Sequence, residues 1–288
     1  MYAPIVSIAM PVRNGETTIS YAILSIINQT ITDWELIIVN DGSSDNTVKI
    51  AKSFNDSRIK IIGDNRKLGI PFRLNQAINN SKGVFFARMD ADDVSFPDRL
   101  AVQLNYLKKN TSIDVVASSM LIFDIHGNIN GIVSPYREHR LICDKPWKGF
   151  IFPHPTWMGH LSWFKNNKYP TEANGIEDQN LLFNSYKHSN FAGIEKVLIA
   201  YRDDRNLKKI LKKRILILRT LGFRAIKKND FKNFIIMVIV LPAKCIGDCI
   251  FSLTKYKYFR NKLDPVSDKL QKKWNKISYQ YRVKDTYI

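Results

Sequence analysis

Short runs of β-branched and aromatic residues recur through the first hundred positions of the chain. Each run is followed by polar or turn-forming residues, which is the pattern of a strand buried on both faces. The predicted strands span 5–12, 34–41, 59–64 and 83–90. Between them apolar residues return every three or four positions, which predicts helices. The predicted helices span 16–29, 44–54 and 69–80. This alternation predicts an α/β fold with a mostly parallel sheet covered by helices on both faces.

Polar side chains follow the predicted strands at the points where those strands end. Asn14 comes after the first strand, Asp41 ends the second, Asp64 and Asn65 end the third, and Asp90 ends the fourth. The carboxyl ends of parallel strands meet at one edge of a sheet, and ligands bind beyond that edge. The sequence therefore predicts an active site there.

Three carboxylates, Asp90, Asp92 and Asp93, lie within four positions of one another. Like charges this close resist burial unless a cation or a set of donors neutralises them. No GxGxxG follows the first strand and no GxxxxGK[ST] is present, which excludes the two commonest phosphate-binding loops. We therefore predict that Mg²⁺ or Mn²⁺ joins these carboxylates to substrate phosphates. The alternative is that Asp92 or Asp93 caps a helix that begins near 96–100.

The charge distribution divides the chain into a near-neutral body and a strongly basic tail. Residues 1–204 hold 22 basic and 21 acidic side chains, a net charge of +1. Residues 205–288 hold 22 basic and 5 acidic side chains, a net charge of +17. This asymmetry predicts an anionic partner for the tail, either nucleic acid or phospholipid. Three cysteines form no disulfide framework and favour a reducing compartment, and no secretion signal is evident at the N-terminus.

The tail contains segments whose pattern predicts association with a membrane surface. Residues 207–221 have the spacing of a basic amphipathic helix. Residues 234–253 are apolar, but charged residues and a proline interrupt them, so they do not form a convincing span of about 20 apolar residues. We expect both helices to lie in the interface, with the aromatic and basic segment 255–262 at its boundary. The alternatives are packing on the body and nucleic-acid binding, and no nucleic-acid recognition signature supports the second.

Four motifs follow one another through the body of the chain. They are VSIAMPVRNGE, VNDGSSDNT, the block NRKLGIPFRLNQAINNSKGVFFARMDADD, and GIEDQNLL. Their order and intervals resemble those of the family 2 glycosyltransferases of GT-A fold, over roughly residues 4–204. The resemblance implies an enzyme that moves a sugar from a nucleotide diphosphate donor to an acceptor hydroxyl, with inversion of the anomeric centre.

The resemblance also implies roles for the residues that match the motifs around the donor. Asp41 is expected to hydrogen-bond the base of the nucleotide, most often uracil, while Pro11, Asn14 and Glu16 line the same pocket. Arg202, in a Tyr-Arg pair, is expected to contact the donor diphosphate, a task that suits a bidentate guanidinium.

The acidic motifs imply the groups that carry the reaction. Asp90 is expected to contact the ribose or the metal, and Asp92 to ligate the metal. Asp178 is the expected catalytic base, with Glu177 beside it. An inverting displacement needs an ionised carboxylate near the acceptor hydroxyl and positive charge at the leaving diphosphate. A helix N-terminus at Glu177 is compatible with this role, because acidic residues favour that end of a helix.

Three further residues each have two interpretations. Arg73 and Arg88 either contact phosphate or pair with nearby aspartates. In the first case Arg73 is part of the donor site. His154, in an HPT sequence that also resembles the family, either lies near the acceptor or is structural.

Together these features predict three parts of the chain and one reaction. Residues 1–110 form the nucleotide-sugar-binding half of a GT-A domain, 111–204 the acceptor-binding half, and 205–288 the membrane-associating tail. We expect a UDP-sugar donor, Mn²⁺ or Mg²⁺, and a lipid-linked polyprenyl diphosphate saccharide as acceptor, at the cytoplasmic face of the plasma membrane in surface polysaccharide assembly. The alternatives are transfer to polyprenyl monophosphate and a non-catalytic nucleotide-sugar-binding protein.

Overall fold

The computed structural model of the chain describes residues 4–146, 149–203, 263–281 and 283, with 211, 215–216, 235, 238–240 and 242–246. Apart from these short runs, the predicted segments 207–221, 234–253 and 255–262 lie outside the described residues. No helix in the described part of the chain combines the length and the apolar character needed to cross a membrane.

A nine-stranded sheet forms the centre of the fold. Its strands are β1 (Val6–Val12), β2 (Trp34–Asp41), β3 (Ile59–Asp64), β4 (Phe85–Arg88), β5 (Val94–Ser95), β6 (Val115–Phe123), β7 (Ile129–Val133), β8 (Met158–His160) and β9 (Phe191–Arg202). They lie in the order β3-β2-β1-β4-β8-β6-β9-β5, and β7 pairs with β6 outside this path. All four predicted strands are therefore present.

The prediction of a mostly parallel sheet is correct for six of the nine strands in the described part of the chain, because β1 to β4, β6 and β9 run in one direction and β5, β7 and β8 run against their neighbours. β1 to β4 are mutually parallel, whereas β8 runs antiparallel to both β4 and β6. The backbone N–H of Arg88, at the end of β4, donates to the carbonyl of Trp157, just before β8. Because the chain enters β8 beside the carboxyl end of β4, it must run in the opposite direction. The sheet is therefore mixed.

Helices cover both faces of the sheet. They are α1 (Ile19–Ile27), α2 (Thr47–Ser53), α3 (Ile70–Asn80), α4 (Arg99–Lys109), α5 (His139–Ile142), α6 (Leu161–Asn166), α7 (Glu177–Ser185) and α8 (Asp268–Gln280). Short 3₁₀ turns lie at His154–Thr156 and Thr171–Ala173. The three helices predicted from the first hundred residues are confirmed, with α1 and α2 shorter than predicted at both ends.

Alternate residues of the central strands point into two separate cores. Ile8 and Met10 of β1 pack in the core on the side of α1. Ala9 packs with Leu74 and Ile78 of α3 on the other side. Because apolar residues are needed on both faces, the central strands have continuous apolar runs instead of alternation.

The last described helix, α8, returns to the body of the protein. Trp274 is fully buried in the core that also contains residues of β1 and β6. Its indole N–H donates to the carbonyl of Gly127 at 3.0 Å, and its ring lies 4.8 Å from that of Phe123. Just before α8, the backbone of Asp264 exchanges two hydrogen bonds with Ile132 of β7. Trp274, Ile277, Tyr281 and Val283 are thus buried against the body, so the described residues at this end of the chain pack on it.

Candidate active site

A cavity of about 290 Å³ lies at the carboxyl ends of β1, β4 and β9. Five of the residues predicted to form the site line it, namely Pro11, Asn14, Asp90, Asp92 and Arg202. The rest of the wall is formed by Val12, Arg13, Gly15, Thr17, Thr18 and Ala91. The structure therefore has a polar pocket at the predicted edge of the sheet.

Burial separates the three clustered carboxylates into different roles. Asp93 is fully buried, and its Oδ1 accepts the backbone N–H of Arg202 at 3.1 Å. Asp92 lines the cavity, where burial and the charge of Asp90 raise its pKa to about 7. Asp90 forms an ion pair with the buried guanidinium of Arg88. Asp93 thus ties the loop to β9, and Asp90 and Asp92 are left on the cavity wall.

The capping interpretation of Asp92 and Asp93 is wrong, because α4 begins at Arg99 with Asp98 at its N-cap position. A divalent cation fits Asp90 and Asp92 instead, since it would relieve the desolvation and like-charge repulsion that raise the Asp92 pKa. Within the described ranges, no three His, Cys, Asp or Glu side chains are grouped so that they could hold a metal ion. The remaining ligands would be donor phosphate oxygens and water, which suits Mg²⁺.

Hydrogen bonds lock the loops after β1 and β2 together. Asn14 has a φ of 52°. Its Oδ1 accepts the N–H of Ser44 at 2.9 Å, and its own N–H donates to Ser43 Oγ at 3.0 Å. Glu16 Oε2 accepts both the backbone N–H and the side-chain amide of Asn46 at 3.0 Å. Asn14 therefore lies on the cavity wall with its side chain holding the second loop, while Glu16 supports that loop from outside the wall.

Asp41 lies outside the cavity wall and is held by several donors. Its Oδ1 accepts the N–H of Leu68 at 2.7 Å, the N–H of Gly69 at 3.1 Å and Nε of Arg73 at 2.9 Å. The Arg73 side chain is fully buried and also pairs with Asp64 at 2.7 Å. The structure thus favours the aspartate-pairing interpretation of Arg73, which fixes the Asp41 carboxylate beside the loop after β3.

The predicted base residues begin α7. Glu177 and Asp178 occupy its first turn, where the helix dipole stabilises negative charge. Glu177 Oε2 accepts the N–H of Gly175 at 2.7 Å, and its Oε1 lies 3.8 Å from Nδ1 of His154. His154 is buried, with its Nε2 at 2.9 Å from the hydroxyl oxygen of Tyr169. The structural interpretation of His154 is favoured, because it connects the acidic pair to Tyr169.

Charges from both acidic motifs meet around Tyr169. Burial raises the pKa of its phenol well above the ordinary value, the charge of Arg88 opposes this, and the carboxylates of Glu177, Asp178 and Asp90 reinforce it. Burial also disfavours the charged form of Arg88, but the nearby carboxylates of Asp90 and Glu177 outweigh this and raise its pKa. The fold therefore places the two motifs within electrostatic reach of one buried guanidinium that stays charged.

Sequence reasoning missed the buried groups that hold the site together, among them Tyr21, Tyr169 and Arg99. The guanidinium of Arg99 is fully buried, and burial lowers its pKa to about 9. Its Nη2 donates to the carbonyl of Arg88 at 2.6 Å and to that of Pro155 at 3.2 Å. The sequence signal that could have found Arg99 is a charged residue on the apolar side of a predicted helix. Burial of such a group is costly unless it has a partner.

Residues 7–167, more than half of the chain, match the sequence profile described as Glycosyl transferase family 2. The chain therefore belongs to this family, and its mixed sheet with flanking helices is a GT-A fold.

Similar proteins occur in bacteria and archaea. The chain is 39% identical over 168 residues to the putative glycosyltransferase EpsE of Bacillus subtilis, covering 57% of this chain and 59% of EpsE. It is 31% identical over 245 residues to the uncharacterized glycosyltransferase MJ1057 of Methanocaldococcus jannaschii, covering 81% of this chain and 83% of MJ1057. It is 35% identical over 133 residues to the UDP-Glc:alpha-D-GlcNAc-diphosphoundecaprenol beta-1,3-glucosyltransferase WfgD of Escherichia coli, covering 46% and 52%. The matches thus span little more than half of EpsE and WfgD.

Two solved structures have a similar fold. S. aureus TarS 1-349 in complex with UDP superposes with a TM-score of 0.58 at 18% identity, covering 96% of this chain and 82% of that one. The mannosyltransferase PcManGT from Pyrobaculum calidifontis, in complex with GDP-Man and Mn²⁺, superposes with a TM-score of 0.59 at 15% identity, covering 100% and 88%. At these identities the likeness is one of fold.

Proposed function

We propose that this glycosyltransferase moves a sugar from a UDP-sugar to a lipid-linked saccharide, with inversion at the anomeric carbon and with Mn²⁺ or Mg²⁺ in the donor site. The proposal is carried by two observations: Asp90, on the cavity wall, forms an ion pair with Arg88, and the charges of both Asp90 and Glu177 act on the buried guanidinium of Arg88. An inverting displacement needs separate carboxylates for the leaving group and for the acceptor hydroxyl. The proposed carboxylates are Asp90 and Asp92 for the leaving group and Asp178 for the acceptor hydroxyl.

The cavity offers both signs of charge that a metal diphosphate requires. Asp90 and Asp92 would hold the metal, and Arg202 on the same wall suits two phosphate oxygens at once. The divalent ion, when bound, supplies positive charge to the leaving diphosphate. Support for a nucleotide-sugar donor comes from structures of similar fold that hold UDP or GDP-Man with Mn²⁺. Support for UDP comes from WfgD, whose name states a UDP-Glc donor.

Asp178 is the proposed base. The Gln179 side-chain amide donates to its Oδ2 at 3.1 Å, which orients the carboxylate at the start of α7. In the reaction, this carboxylate takes the proton of the acceptor hydroxyl while the hydroxyl oxygen attacks the anomeric carbon, and the bond from that carbon to the diphosphate oxygen breaks on the opposite face, so that UDP leaves with the electron pair. Glu177, held by the N–H of Gly175, keeps the first turn of α7 in place.

The lipid-linked acceptor and the membrane location are proposed from the tail and from one relative. WfgD acts, by its name, on a diphosphoundecaprenol-linked sugar. The net charge of +17 over 205–288 favours anionic headgroups, which attract basic residues near the surface by about 1 kcal/mol each. We propose a peripheral protein at the cytoplasmic face of the plasma membrane. Flotation with anionic liposomes at physiological salt tests this, and protein left at the bottom of the gradient would contradict it.

Two substitutions test the mechanism once a panel of UDP-sugars has identified the donor by release of UDP. Asp178→Asn should keep UDP binding but abolish transfer, because only the proton acceptor is lost. Asp92→Ala should weaken Mn²⁺-dependent UDP binding itself. Asp144→Asn is the matched control, since this carboxylate is 56% exposed and outside the site. Near-normal transfer by Asp178→Asn would mean that another residue is the base, and transfer that survives exhaustive chelation would exclude the metal.

A further inference from the structure

Tyr21 lies on the buried side of α1, next to the loop that carries the clustered aspartates. Its side chain is almost fully buried and is not part of the cavity wall. Its hydroxyl donates to the backbone carbonyl of Asp92 at 2.9 Å. Burial raises the pKa of this phenol, so the hydroxyl stays protonated and keeps its donor at all physiological pH values.

The Arg202 guanidinium acts on the same hydroxyl, because its charge and a side-chain hydrogen bond oppose the effect of burial on the pKa of the phenol. A phenol has one hydrogen, and here it is donated to Asp92, so the lone pairs of the oxygen accept from the guanidinium. Arg202 and Asp92 both line the cavity. One buried oxygen atom therefore connects the cationic side of the pocket with the loop that carries its carboxylates.

Main-chain bonds hold the same two segments together but do not orient the guanidinium. The N–H of Arg202 donates to Asp93 Oδ1 at 3.1 Å, and Val94 of β5 pairs with Ala200 of β9. A long arginine side chain loses much conformational entropy when it is fixed. A contact with the rigid, buried ring of Tyr21 orders this side chain before the ligand binds, so less conformational entropy is lost in the binding step.

We infer that Tyr21 is a positioning residue of the donor site, which sets the Arg202 guanidinium at a fixed place relative to the Asp92 loop. This inference rests on the proposed function, because it takes the cavity to bind a metal diphosphate. Tyr21 acts through Arg202 and the Asp92 carbonyl and does not itself touch the donor. The recognised chemistry is the diphosphate, so the nucleoside part of the donor should be unaffected by Tyr21.

The test is calorimetric titration of the full chain with UDP in the presence of MnCl₂, and separately with uridine. Tyr21→Phe keeps the buried ring and removes the hydroxyl. We expect UDP to bind about five- to tenfold more weakly, as for the loss of one hydrogen bond to a charged group, and uridine to bind as before. Tyr106→Phe, at a half-buried tyrosine of α4 outside the cavity, is the control and should change neither.

A double-substitution cycle tests the link to Arg202. In an Arg202→Gln background, adding Tyr21→Phe should weaken UDP binding by less than about twofold, because residues in contact are not additive. The inference is overturned if UDP and uridine are weakened equally, if neither changes, or if the two substitutions add fully. A wild-type chain that binds neither UDP nor GDP would refute the proposed donor site instead. In that case amide hydrogen exchange tests the role of Tyr21 separately. Faster exchange of residues 90–95 in Tyr21→Phe supports the inference, and unchanged exchange overturns it.

Discussion

Replacing Trp274 with alanine tests whether α8 belongs to the catalytic body. The indole is fully buried, its ring lies 4.8 Å from that of Phe123, and its N–H bonds to the carbonyl of Gly127. Truncating a buried aromatic side chain costs about 3 to 5 kcal/mol, and the lost hydrogen bond adds about 1 kcal/mol. We therefore expect the free energy of unfolding to fall by about 4 to 6 kcal/mol.

Urea denaturation followed by far-ultraviolet circular dichroism measures this loss, since the method does not depend on tryptophan fluorescence. Tyr279→Ala on the same helix is the control, because that side chain is 88% exposed and should cost under about 0.5 kcal/mol. Trp274→Phe should lie between the two, since it keeps a buried ring. If α8 opened by itself, amide exchange over 268–280 would increase while the sheet stayed protected. A Trp274→Ala loss no larger than that of Tyr279→Ala, with unchanged exchange, would refute the packing of α8.

Two further predictions concern buried charges away from the cavity wall. Arg73→Leu removes the guanidinium from the buried Asp41 carboxylate and should lower the stability of the protein by about 3 to 5 kcal/mol. Asp64→Asn changes a partly exposed partner of Arg73 and should alter the melting temperature little. Equal losses of melting temperature in the two variants would contradict this prediction. Burial disfavours ionisation of Glu35, but hydrogen bonds from donors such as Lys60 outweigh it and lower its pKa below the ordinary 4.5. The ionised group therefore stabilises the fold above about pH 4.5, and this stabilisation is lost as the pH falls through the lower folded-state pKa. Urea midpoints of wild type and Glu35→Gln should differ at pH 7 and converge in acid, and a pH-independent difference would refute the reasoning.

The first half of the fold could be predicted because local pattern and long-range packing agree there. β2 and β3 have the predicted bounds, since each apolar run ends in a polar residue at the sheet edge, although β2 is fully buried and β3, the outer strand, is only partly buried. The second half could not be predicted in the same way. β5 has two residues and β8 has three, which is too short for a periodic pattern. Their directions depend on the neighbouring strands instead.

The candidate site shows the same division. Asp90, Asp92 and Arg202 were expected from motifs and strand ends, and the fold does bring them to one cavity. The groups that hold them were not expected, because Tyr21 and Asp92 are 71 positions apart in the chain. Whether an aspartate faces the cavity or is buried in a supporting bond, as Asp93 is, depends on the surrounding side chains.

By itself the sequence determined the order of strands and helices in the first hundred residues, the place of the acidic cluster at a strand end, and the family. Apolar periodicity and short motifs are local, and they can be read without knowing what they pack against. The tertiary structure decided the mixed direction of the sheet, the pairing of each buried charge and the return of α8 to the body. These depend on contacts between distant segments, because the cost of burying a charge or an indole is set by the partners that the fold brings to it.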